Sequence, residues 1–61
     1  MYYIMGNDRR YYAGRCCSDK ITLVWKDHYS RALSFDTMLE AINYAKHEGI
    51  FFLGIEYKVG G

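Results

Sequence analysis

Thr37-Met38-Leu39-Glu40-Ala41-Ile42-Asn43-Tyr44-Ala45-Lys46-His47-Glu48-Gly49 decides the fold. Asp36 or Thr37 can cap a helix, and Thr37-x-x-Glu40 has the spacing of a capping box. Met38, Ala41, Ile42 and Ala45 recur at i, i+3, i+4 and i+7, which places them on one apolar stripe. Lys46 and His47 fall in the last turn, where cations suit the helix dipole. Gly49 is the expected left-handed residue beyond the end. The spacing predicts one helix over about 37–48, packed by a single face.

The remaining segments read as strands. Tyr2-Tyr3-Ile4-Met5 and Arg10-Tyr11-Tyr12-Ala13-Gly14 flank Gly6-Asn7-Asp8-Arg9, a turn sequence, and so predict a hairpin. Cys16-Cys17-Ser18-Asp19-Lys20 is the next connection. Ile21 through Lys26 follows, with Ile21, Leu23 and Trp25 on one face. Asp27 through Arg31 reads as a loop and Ala32-Leu33-Ser34-Phe35 as a brief fourth strand. Ile50 through Val59 is the last strand, with Leu53, Ile55, Tyr57 and Val59 on one face and Phe52, Gly54, Glu56 and Lys58 on the other. The predicted architecture is a single α+β domain over 1–61: a three- to four-stranded, mainly antiparallel sheet with the helix on one face.

One helix shields one side of a sheet, yet these strands are apolar on both. If the helix covers Ile21, Leu23, Trp25, Leu53, Ile55, Tyr57 and Val59, either parity of the hairpin turns aromatic rings outward. Tyr2 and Ile4, or Tyr3 and Met5, then join Tyr11 or Tyr12, Val24 and Phe52 on the open side. Exposed apolar area of that kind marks interaction sites, and Tyr and Arg dominate binding energy at interfaces. The expected partner-facing set is Tyr3, Tyr12, Val24 and Phe52, with Arg10, Arg15, Lys26 and Arg31 on its charged rim. A symmetric homodimer through the open face or an unpaired edge strand is expected as well, because a domain of 61 residues buries only about 60% of the surface its unfolded chain exposes.

Composition narrows the chemistry. Net charge is +1, from eight Lys and Arg against seven Asp and Glu. The first half is basic, +3 over residues 1–31, and the second is −2. That is a mild dipole rather than the footprint of a polyanion binder. The two cysteines, Cys16 and Cys17, are adjacent. A bridge between them would strain an eight-membered ring, so a reduced, cytoplasmic protein is expected. Cys-Cys lacks zinc-ligand spacing, and His28 and His47 complete no ligand set, so no metal or cofactor is expected. His28 beside Asp27 has no placed nucleophile, and the cysteines carry no catalytic signature, so no enzymatic activity is expected. No apolar run approaches the ~18 residues of a membrane span. Met1 through Asp8 lacks a basic segment followed by an apolar one, which predicts a chain without a secretory signal. Arg9-Arg10-Tyr11-Tyr12 with Arg15 interleaves stacking rings with guanidiniums, the combination of single-strand nucleic-acid binders. That is the alternative function; the competing reading is a solvated hairpin.

A Tyr-rich hairpin, a Trp-bearing strand, Ala32-x-x-Phe35-x-Thr37-x-x-x-Ala41, a helix and a closing strand together resemble small orphan proteins of bacteriophages and mobile elements. Anti-CRISPR and other anti-defence inhibitors of β-β-β-α-β type are among them. The resemblance implies stoichiometric binding to, and inhibition of, a host protein complex. Strongly acidic inhibitors of that kind imitate DNA; the basic first half of this chain points instead to an acidic or mixed protein surface.

Overall fold

The computed structural model describes residues 1–59. Strands β1 (Tyr2–Met5), β2 (Tyr11–Arg15), β3 (Leu23–Lys26) and β4 (Gly54–Tyr57) form one antiparallel sheet in the order β3-β2-β1-β4. A 3-10 turn at Tyr29–Arg31 and helix α1 (Met38–Glu48) lie between β3 and β4. This is the expected α+β architecture.

Both helix caps form as the residues dictate. The Thr37 hydroxyl accepts from Glu40 N–H at 3.1 Å. Gly49 sits at φ 68°, in the left-handed region. The next amide, Ile50 N–H, bonds to Ala45 O at 2.9 Å, and this closure drops Ile50 into the core. Ala41 and Ala45 are wholly buried. Their small side chains let the helix approach Ile4 of β1 and Tyr12 of β2, the two largest side chains with no exposure. Tyr2, Leu23, Trp25, Phe35, Tyr44, Phe52 and Ile55 pack around this nucleus. The buried residues of the helix are therefore Ala41 and Ala45, with Tyr44 half-buried against the core; of the other residues expected inside, Ile42 is half-buried and Met38 is exposed.

The centre of the sheet is split. β1 and β2 pair only at Met5 opposite Tyr11, next to the hairpin turn. Farther along, the segment 33–35 lies between them. Leu33 N–H bonds to Tyr12 O at 3.0 Å, while Phe35 and Tyr2 exchange both backbone bonds at 2.9 Å each. The expected fourth strand over 32–35 is thus a single bridge, Tyr2–Phe35. The connection begins with Tyr29 packed on Tyr3 and Tyr11, away from the helix. It ends with Phe35 against Tyr44 on the helix side, ring centroids 5.2 Å apart. The chain crosses from one face to the other through the split rather than around an edge.

Two strands are shorter than their sequences predict. β3 starts at Leu23 because the Asp19 carboxylate holds Ile21 N–H and Thr22 N–H, at 2.9 and 3.0 Å, in a turn. Ile21 is left exposed, off the face it was expected to join. β4 starts at Gly54, and Leu53 and Val59, expected beneath the helix, are exposed, as is the larger part of Tyr57. Among the described residues the one close backbone approach is at Gly6: a Cβ there would stand 2.9 Å from the Trp25 ring, which reaches across β2 to lie on it.

Candidate functional site

Directly opposed residues share a face, so the pairs Tyr2–Tyr57, Ile4–Ile55 and Tyr12–Trp25 lie beneath the helix. Tyr3, Glu56, Tyr11 and Lys26 take the other side, and alternation along β3 puts Val24 there too. This second face is not open. Tyr29 covers it, its ring 5.3 Å from that of Tyr3 and 6.3 Å from that of Tyr11. Tyr3 and Tyr11 meet edge to face at 6.1 Å, and His28 stacks on Tyr29 at 4.5 Å. The Tyr11 hydroxyl donates to Glu56 Oε1 at 2.8 Å, and Lys58 Nζ reaches the same oxygen at 2.7 Å and the Tyr29 ring at 5.8 Å. Lys58 and the Tyr11 hydroxyl hold the Glu56 carboxyl below the usual range. In return the carboxylate pushes Tyr11 and Lys58 up. The rings and the ion pair form a second small core.

Burial therefore removes two residues from the expected partner-facing set. Tyr12 is 0% exposed beneath the helix, and Tyr3 is 7% exposed under Tyr29. Val24 is half-buried, and Phe52 packs against the main core. Arg15 is committed to structure. Its guanidinium bonds to the Glu48 carboxylate at 3.1 Å, to Glu48 O at 3.2 Å and to Ile21 O at 3.0 Å, clipping the end of β2 to the end of the helix. Arg10 pairs with Asp27 at 3.0 Å and lies 3.8 Å from Asp8. Lys26 and Arg31 are exposed, and so is Arg9 at the hairpin tip; none of the three has an ion pair among the described residues. Lys26 lies opposite Tyr11, next along the chain from Arg10, so Arg10 and Lys26 stand at the same end of the sheet, whereas Arg15 lies at the other end of β2, opposite Leu23.

Tyr12 carries the one buried polar atom without a partner among the described residues, its hydroxyl. Burial, and then the neighbouring Tyr44, pushes its pKa up to about 12. Cys16 and Cys17 are unbridged thiols, Cys17 exposed. A hydrogen bond with the Ser18 hydroxyl at 3.2 Å lowers the Cys16 pKa. Among the described residues no three His, Cys, Asp or Glu side chains gather as metal ligands, no pocket is formed, and no helix is long and apolar enough to cross a membrane.

Apolar surface collects instead along β4. Phe51 is 89% exposed, Val59 79% and Tyr57 56%, with Leu53 between them. β4 is an edge strand. Lys58 and Met1 exchange backbone bonds at 2.9 Å, so Lys58 faces β1 and, by alternation, Ile55, Tyr57 and Val59 turn their backbone groups outward. Sequence reasoning missed this edge and the Tyr29 cover. Alternation marked the face of β4 correctly for Ile55 and Tyr57, but no residue pattern announces which strand is outermost. No family model, no curated protein and no solved structure matches the chain.

Proposed function

We propose that the protein is a non-enzymatic inhibitor, of bacteriophage or mobile-element origin, that binds a host protein complex; an anti-CRISPR role belongs to this class. The observation that carries the reading is the set of exposed cations Arg9, Lys26 and Arg31, which stand without ion pairs among the described residues. Unpaired cations on a rigid rim steer an acidic protein surface and set its register. The net charge of +3 over residues 1–31 separates this mode from DNA imitation. Cytoplasmic action follows from the same reading, as does the absence of any bound cofactor.

The alternative, nucleic-acid binding by the Arg and Tyr hairpin, has less support. Tyr12 is inside the core, and Tyr11 is half-buried, bonded to Glu56 and packed edge to face on Tyr29, so the hairpin lacks the pair of exposed rings that stacking on bases needs. Plating phage on hosts carrying individual defence systems, with and without the expressed protein, tests both readings. Restored plating on one system, lost in the K26E/R31E variant, is expected. No restoration on any system, together with nucleic-acid binding that weakens steeply with salt, overturns the inhibitor reading in favour of the alternative.

A further inference from the structure

We propose that two copies join edge to edge along β4, about a two-fold axis at Tyr57, into one eight-stranded antiparallel sheet. An edge strand presents a row of unpaired N–H and C=O groups, and proteins ordinarily blunt such edges with charge, proline or a bulge. The two edges of this sheet differ in that respect. β3 ends in Lys26 and Asp27, and its pairing to β2 is irregular between Tyr12 and Arg15, whereas the charges of β4, Glu56 and Lys58, pair with each other. β4 has no such interruption in its pairing to β1, and exposed Tyr57 and Val59 lie along it.

The register follows from charge and face. A two-fold axis normal to the sheet keeps each residue on its own face, so the axis must pass through a residue position. Centred on Glu56, it sets that carboxylate against its own copy, which like charges oppose. Centred on Ile55, it sets Gly54 against Glu56 and leaves Lys58 unmatched. Centred on Tyr57, it sets Glu56 of each chain opposite Lys58 of the other, twice, on the face where the two already pair within one chain at 2.7 Å. The same axis sets Tyr57 opposite Tyr57 and Ile55 opposite Val59. These are the residues whose backbone groups turn outward, so their N–H and C=O groups bond across the seam. It also covers the exposed side chain of Val59, which has no packing role within one chain. The second copy is thus the occupant whose charges match this edge residue for residue.

Sedimentation velocity from micromolar to millimolar concentration tests this. The expected mass is twice 7.2 kDa. Val59→Pro removes one seam donor per chain at an exposed position, and about a tenfold to hundredfold weaker dimer with an unchanged circular dichroism spectrum is expected. Lys58→Glu should dissociate the pair, and the swap E56K/K58E should restore it, because opposite charges again face each other. A mass of 7.2 kDa at every concentration overturns the proposal. A dimer that survives both Val59→Pro and Lys58→Glu overturns it too, since the copies would then meet elsewhere.

Discussion

Tyr2 and Phe35 exchange both of their backbone hydrogen bonds at 2.9 Å, in the place where β2 would otherwise complete its pairing with β1. The hairpin is held open by a segment that arrives later in the chain. A buried backbone group without a partner costs about as much as a lost hydrogen bond, so the split persists only because residues 33–35 satisfy both inner edges. Phe35→Ala, which also removes the ring packed on Tyr44, is expected to cost about 2–4 kcal/mol. Urea unfolding measures it. The amides of Tyr2, Leu33 and Phe35 should exchange with solvent only on global unfolding, and fast exchange at Leu33 would show that the wedge opens by itself.

Tyr12→Phe should stabilise the protein by about 1–3 kcal/mol, since it deletes a buried hydroxyl that has no partner among the described residues. The gap should also depend on pH. Folding raises the Tyr12 pKa from 10.0 to about 12. The unfolded chain therefore loses this proton first, and the stability tied to it is full below pH 10 and falls as pH rises to about 12. Thermal unfolding of both proteins across that window should show the variant's advantage growing. An advantage that shrinks would mean that folding lowers the Tyr12 pKa instead of raising it, and a variant less stable than the parent at neutral pH would mean the hydroxyl is bonded.

Gly6→Ala is expected to destabilise by about 1–3 kcal/mol, because the added methyl meets the six-membered ring of Trp25 at 2.9 Å. Trp25 is the only tryptophan, so its fluorescence reports the displacement directly. Unaltered emission with unaltered stability would place the ring elsewhere.

Arg9 holds φ 68° in the hairpin turn, where Arg9 N–H bonds to Gly6 O at 3.1 Å and Gly6 N–H to Arg10 O at 2.8 Å. A side chain in this left-handed conformation is strained and glycine is not, although glycine loses more entropy on folding. Arg9→Gly should gain a net of about 0.5–1 kcal/mol, read from the midpoint of urea unfolding. A loss of stability would mean that the guanidinium makes a compensating contact.

Asp19 accepts from Ile21 N–H, from the Thr22 hydroxyl at 2.7 Å and from Thr22 N–H, and these bonds lower its pKa from 3.8 to about 2. A lowered carboxyl pKa stabilises the fold above the ordinary value, and that contribution is lost as pH falls through about 2. Asp19→Ala should be less stable than the parent at neutral pH, and the difference should close between pH 3.8 and 2. Acid titration of the unfolding midpoint checks the closure; a constant difference would assign the effect to something other than the charge.

What the sequence determined by itself is local. Thr37 and Gly49 set both ends of the helix, because each closes hydrogen bonds within a few residues of itself. The turn residues and β-favouring runs placed the hairpin, and Asp19 shortened β3 through bonds to its immediate neighbours. The surplus of aromatic residues on both faces was also legible. What covers the second face was not. Tyr29 reaches Tyr3 and Tyr11 only because the connection crosses the sheet through the split between β1 and β2, and that path depends on contacts distant in sequence. Likewise, alternation told which side chains of β4 point one way, but only the strand order made β4 an edge. The same Tyr57 and Val59 would be core residues in a central strand. On an outer one they are surface, since period-2 patterning specifies a face and says nothing about the neighbour beyond it.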